Sequence, residues 1–521
     1  MKIYHVIHVV AFLLSSLFVV AQDQLLQKSI LAEAEFHTAI NPLDSNNIVV
    51  VTMRGFEGVE DSYFSIYYTK DFGETWELSD FQGKHSGHIG AGDPVIAFNS
   101  QGSLTLVHLV STEGKSILTV LSESLDYGET WELKYVFDEV FTDKPWITID
   151  NSESSPYQGN IYVPTVVGIV QLLSFDSNYS LINLKDVPGG DHIPSVVTNR
   201  DGDIFVSNMK WSDPIEMYAN KYSNAGTTLE HSTFVTTFPD YTFNVADISQ
   251  RFQPAPYLAI DNSAGPYEGR LYMSYTASEL SDPKYFNVFL TYSDDDGLTW
   301  IEPKIVHSDN SDLIQQFYSS IYVNDNGVLI LDWYDRSNYN NTNLNTDFFM
   351  GISYDGGENF TEIQLNSESM DFAIVATAGF GFGIGEYHQL VSTNHTAISF
   401  WSDGRTNDGD LNIYFAKVNI NNPSLEVKEQ SIINDKISIS NIYSQPVKDQ
   451  INFSIQLKNA FKLKFDIIAI DGRVVKEGPW TNFGFGSHDI NIPISVKDGH
   501  YILQVKSDNG YFKNQKLIVI R

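Results

Sequence analysis

The sequence predicts an all-β chain, a β-propeller followed by a small β-sandwich, and three observations predict it. An eight-residue pattern, Ser/Thr-x-Asp-x-Gly-x-Thr/Asn-Trp/Phe, occurs four times, at 69–76, 124–131, 293–300 and 353–360. The starts lie 55, 169 and 60 residues apart, and the long interval is close to three periods of about 56, which marks an array of supersecondary units. Short β-branched runs recur throughout, and aromatics make up 13% of the residues, as suits an all-β solenoid or propeller.

Taken in order, Met1 to Ala21 carries one lysine and an apolar run, Val6 to Val20. It reads as a secretory signal peptide cleaved after Ala21, and the run is short for a spanning helix. No later segment is long and apolar enough to span a bilayer, so an exported protein without membrane insertion is expected. Residues 22–420 hold the repeats. Seven strand pairs recur there, among them Asp93 to Phe98 with Gly102 to His108, and Ser319 to Val323 with Gly327 to Leu331. Their nearly continuous apolar runs fit strands buried on both faces. Eroded copies of the pattern at 174–181 and 222–229 raise the count to six. The seventh unit has no copy, and its fourth strand is expected from about Gln24 to Ile30, closing a ring. Seven sheets are therefore expected, with six as the alternative. Residues 421–436 read as a linker, and 437–521 as a separate small β domain.

The chemistry of the repeated pattern is structural. Its Asp accepts backbone N–H bonds across a turn, its Gly supplies a positive φ, and its Trp packs between neighbouring units. These residues resemble the Asp-boxes of the bacterial neuraminidase repeat, and the repeated part resembles sialidase-superfamily propellers. That resemblance implies fold and is nearly silent on function. The order Ile442 to Pro446, Asp466 to Lys476, Gly499 to Val505 and Lys516 to Ile520 resembles the C-terminal sorting domain of the type IX secretion system. It implies the secretion machinery as a partner and delivery across the outer membrane, to the cell surface or the medium.

The chain has no cysteine, which excludes thiolate metal sites and a cysteine nucleophile. The formal charge is −33. From Ser431 to Arg521 there are 12 Lys and Arg against 8 Asp and Glu, a net of +4 that leaves −37 on the rest. Such a surface argues against nucleic acid as a partner. No cofactor is expected; Asp294, Asp295 and Asp296 offer oxygen ligands for calcium, but the turn explains Asp295 without it.

In a propeller the starts of first strands and the ends of second strands share one rim, and ligand sites favour such mouths. Three arginines, Arg54, Arg336 and Arg405, end second strands of units that neighbour one another once the ring closes. Guanidinium forks match carboxylates, and sialidases hold their acid sugar with three arginines, so an acidic polysaccharide or glycoconjugate is the expected ligand. The alternative is that Asp335–Arg336 and Asp403–Arg405 are structural ion pairs. Lys144, Tyr275, Trp333 and Trp401 join the candidate binding set. For a sialidase-like hydrolysis the candidates are Tyr318 as nucleophile, Glu386 as its partner and Asp93 as acid. The Arg-Ile-Pro signature of catalytic sialidases is absent, and the first inner strand carries His37 instead. A competing reading is a polysaccharide lyase of the ulvan-lyase type, with His88 and His108 moving protons. A third is a propeller that binds a glycan or protein without catalysis.

Overall fold

The structure, a computed structural model, describes residues 23–29, 31–54, 62–114, 116–139, 141–239, 254–278, 286–308, 315–337, 345–371, 387–405, 411–420, 437–439, 447–457, 460–469, 474–497, 499–507 and 512–520. The expected signal peptide and linker lie outside these residues. The described residues are all-β, with no helix among them, and so none long and apolar enough to cross a membrane. The chain divides into two compact units, Met1–Ile420 and Asn421–Arg521.

The first unit is a series of antiparallel sheets, each an up-and-down meander. The first sheet takes Glu33–Ile40, Ile48–Arg54, Phe64–Thr69 and Glu77–Leu78. The second takes His88–Phe98, Leu104–Thr112, Ile117–Ser124 and Glu132–Phe137. The third takes Thr148–Ile149, Ile161–Val166, Val170–Phe175 and Leu181–Asp186. The fourth takes His192–Thr198, Ile204–Lys210, Ile215–Ser223 and Thr228–Phe238. The fifth takes Tyr257–Ile260, Leu271–Ala277, Asn287–Ser293 and Lys304–Ile305. The sixth takes Gln316–Val323, Leu329–Asp335, Asn345–Ser353 and Thr361–Gln364, and Met370–Asp371 also pairs with its third strand. The last sheet takes Val391–Ser392, Thr396–Asp403 and Asn412–Asn419.

The fourth strand of that last sheet is Gln24–Leu25, whose residues pair with Phe415 and Tyr414. Arg405 ties the same place down, bonding Asp403 through two nitrogens and Asp23 through a third. First strands touch first strands from each sheet to the next, and Val391–Ser392 touches Glu33–Ile40, so the contacts run in a closed circle.

Burial follows position within a sheet. Ile48 to Val51, on a second strand, show no exposed surface, because neighbouring sheets cover both faces. Outer strands such as Leu181–Asp186 are largely exposed. The pattern residues form the turns between third and fourth strands. In each of the four clean copies the first Ser or Thr hydroxyl bonds the Asp and accepts the Gly N–H. The Thr or Asn two places past the Gly donates backbone and side chain to that Asp. These bonds pull the Asp71 carboxyl down to about 2. Gly128 and Gly297 sit at φ 96° and 81°, where a side chain is strained. In two copies the Trp donates back to the Gly carbonyl, Trp131 to Gly128 and Trp300 to Gly297.

In the second unit, Gln450–Leu457 pairs with Ile437–Ile439 and with Gly486–Pro493. Phe461–Ala469 pairs with Val474–Lys476, Thr481–Phe483 and Gly499–Ser507, and Phe512–Val519 adds to the last. Ile451 and Phe453 from the first sheet share a core with Leu463 and Phe465 from the second.

Candidate active site

Where the first strand is long, its start pairs with the end of the second strand, as Glu33 with Arg54 and Gln316 with Asp335. Near that edge the first strands break register in the same way. The ladder slips between Ala34 and Phe36, Gly92 and Val95, His192 and Ser195, and Phe317 and Ser320. At each slip stands a non-glycine residue with positive φ: Glu35 at 50°, Asp93 at 46°, Ile193 at 35° and Tyr318 at 49°. Lys144, just ahead of the third sheet's short first strand, has φ 45°. Such conformations cost on the order of 1–3 kcal/mol each and cluster where side chains are aimed at a function. Asp93, Lys144 and Ile193 each precede a proline.

Three of these residues meet. The Lys144 ammonium lies 3.9 Å from Glu35 Oε1 and 3.8 Å from Asp93 Oδ2. Both distances exceed a direct hydrogen bond and are those of loose ion pairs. Glu35 is almost fully buried, while the Asp93 and Lys144 side chains keep partial exposure. The ammonium sits 5.6 Å above the Tyr387 ring. Trp146 packs on Tyr257, Tyr387 and His37, with ring centroids 5.2, 5.9 and 4.9 Å apart. Lys144, Trp146, Ile193, Tyr257 and Tyr387 line a concavity of about 10 Å³, roughly one water's worth of room. Burial raises the Tyr387 hydroxyl well above its usual range, and the Asp93 and Glu35 charges add to that. Among the described residues the buried hydroxyl has no hydrogen-bond partner. Burial alone holds His37 neutral, pushing it down to about 3.

A second acid lies beneath the first. Glu33 is fully buried, and burial lifts its carboxyl to about 7 against the smaller pull of the Tyr67 hydroxyl and the Arg54 charge. Tyr67 donates to Glu33 Oε1 at 2.7 Å, and Arg54 Nε lies 4.0 Å from that oxygen.

Of the sequence candidates, Asp93 and Lys144 come together here. Tyr318 occupies the equivalent bulge of the sixth sheet, 6% exposed, its ring against Phe317. Glu386 lies outside the described residues. The three arginines take separate partners. Arg54 faces Glu33 and lies 4.9 Å from the Tyr63 ring centre. Arg336 has no exposed surface and donates to Gln315 Oε1 at 2.5 Å. Arg405 is the clamp on Asp403 and Asp23.

The aromatic candidates are corrected by burial. Trp333 and Trp401 have no exposed surface, and their indoles donate to Asp335 and Asp403. Tyr275 is stacked between Phe238 and Phe289. These rings fill the core and present no face to a sugar. The histidine pair is corrected too. His108 has no exposed surface, bonds the Gly83 carbonyl at 2.9 Å and is pushed down to about 3 by burial. It packs against Phe64 and Phe81. His88 is half-buried beside His85, its basicity also lowered by burial.

Sequence reasoning missed Glu35, Trp146 and Tyr257. It began the first inner strand at His37, whereas the strand begins at Glu33. Aligning Glu35-Phe36 with Asp93-Pro94 and Lys144-Pro145 would have found the first of them.

Comparison with known proteins adds two matches. Residues 67–78 match the BNR/Asp-box repeat, and residues 441–520 match the secretion system C-terminal sorting domain. The second match marks the chain for export to the cell surface or the medium. No curated protein matches the chain. Similar solved structures include a Dyadobacter fermentans protein of unknown function, 12% identical, covering 76% of this chain and 97% of that one with a TM-score of 0.44. An α-L-arabinofuranosidase of Fusarium graminearum is 11% identical, covering 75% and 94% with a TM-score of 0.42. A mutant Trypanosoma rangeli sialidase displaying trans-sialidase activity is 10% identical, covering 94% and 85% with a TM-score of 0.40. Likenesses at these scores carry no argument about chemistry.

Proposed function

We propose that the chain is an exported glycoside hydrolase built on a seven-bladed propeller, spanning 22–420 between a signal peptide and a sorting domain. One observation carries the reading: Glu35, Asp93 and Lys144, from three successive sheets, converge beside the Trp146, Tyr257 and Tyr387 rings. Glycoside hydrolysis needs two carboxyl groups flanking the bond, one to protonate the leaving oxygen and one to attack or to activate water. Both carboxylates lie within 4 Å of one ammonium, so their nearer oxygens are at most about 8 Å apart, a span open to either stereochemical outcome. In this reading Glu35, the more buried, is the acid, and Asp93 is the base or nucleophile. Lys144 offsets the Asp93 charge and holds the pair in place. The Trp146, Tyr257 and Tyr387 rings, buried against one another, form the wall beside the pair. No cofactor enters the reaction.

The test is release of reducing sugar from a broad panel of polysaccharides. Glu35→Gln and Asp93→Asn should each abolish it with the fold intact. Undiminished release by both variants would sink the assignment. A second reading, a glycan-binding propeller without turnover, is favoured by the absence of the Arg-Ile-Pro signature of catalytic sialidases. It predicts retention on a glycan matrix and no product.

A further inference from the structure

We infer, on the hydrolase reading above, that the sugar held at this site carries no carboxylate. The inference rests on where six positive charges among the described residues at this edge are directed. Lys144 faces two carboxylates, Glu35 and Asp93. Arg405 is held by two more, Asp403 and Asp23. Arg54 faces the buried Glu33. Lys210 lies 3.4 Å from Glu216. Arg336 is sealed from solvent against Gln315. Lys84 rests on the Tyr63 ring, 5.4 Å from its centre. A carboxylated sugar would have to displace an internal acid from Lys144 and stand beside it, and like charges at such range repel. The chain as a whole, at −33, adds a long-range field of the same sign. An uncharged sugar meets none of these penalties. Its hydroxyls can bond the group from alongside, donating to the acids and accepting from the lysine.

The experiment is affinity electrophoresis of the purified full chain, with reducing-end release measured in parallel. The gels contain neutral polymers (arabinan, galactan, xylan, β-glucan) or acidic ones (polygalacturonate, polysialic acid). The expected result is retardation and product on a neutral polymer, with at least 10-fold weaker retardation on every acidic one. The double variant E35Q/D93N removes the two negative charges beside Lys144. It should acquire retardation on polygalacturonate, and adding K144M should abolish that gain. Should the double variant fail to fold, the wild-type comparison decides alone. Retardation of the wild type on an acidic polymer more strongly than on all neutral ones overturns the inference. If that polymer is also cleaved, the hydrolase reading survives without it. Neutral retardation with no product sustains the inference and removes the hydrolase reading. No retardation and no product on any polymer removes both.

Discussion

The turns that join third to fourth strands and the bulges that open the first strands lie at opposite edges of the same sheets, since second-strand starts pair with third-strand ends. At the turns, four copies make the same set of hydrogen bonds with nearly the same residues. At the bulges, the backbone repeats while the side chains diverge: Glu35, Asp93, Lys144, Ile193 and Tyr318 share positive φ and little else. The turns are closed systems, each Asp satisfied by its own neighbours. At the bulges, Glu35 and Asp93 are brought to Lys144. Repetition of residue type thus maintains the scaffold, and repetition of backbone shape with changing residue type makes a site.

Substitutions at the two edges should separate accordingly. Glu35→Gln is expected to lower kcat by about 10³-fold, within the usual range for a positioned acid or base, with thermal unfolding within a few degrees of wild type. A large loss of stability instead would place Glu35 with the scaffold. Trp401→Ala, inside the last sheet's packing, should remove about 3–5 kcal/mol of stability, the usual loss for a buried aromatic, measured by urea unfolding. It tests whether this tryptophan is core and not ligand surface.

Glu33 sharpens the comparison, because it sits at the bulged edge yet is fully buried. Its folded carboxyl titrates near 7 against 4.5 unfolded. Its stabilising effect is therefore present below about pH 4.5 and fades as pH rises through about 7. Glu33→Gln should gain stability relative to wild type above pH 7, on the order of 3 kcal/mol from the size of that shift. Parallel unfolding curves of the two proteins at pH 5 and pH 8 would contradict this. Smallest is Asp295→Ala. It breaks one turn's bonds to Ser293 and Thr299 and should lose about 1–2 kcal/mol while leaving kcat unchanged.

Much of the scaffold was legible because it is written in repeated residues. The turn pattern, the strand pairs and an N-terminal strand completing the last sheet all follow from spacing and apolar runs. The site was half legible. Asp93 and Lys144 stand beside prolines at strand starts, where a rim residue is expected. Glu35 has no proline after it and hides in a run of mixed character, so only register exposes it. Trp333 and Trp401 misled for a physical reason: an indole next to Asp and Arg reads as a rim aromatic. In a sheet the side chains alternate faces, and these two turn into the packing between sheets with the neighbouring aspartate capping the indole N–H.

The pairing of Gln24–Leu25 with Asn412–Asn419 sets an order of events. Asp23 and Arg405 are 382 residues apart in the chain, so joining them costs about 5 kcal/mol of loop entropy. Gln24–Leu25 has no strand to pair with until Asn412–Asn419 is in place, and until then the circle has a seam. Cutting just after Asp23 would leave the seam without its latch, and the opening would begin there.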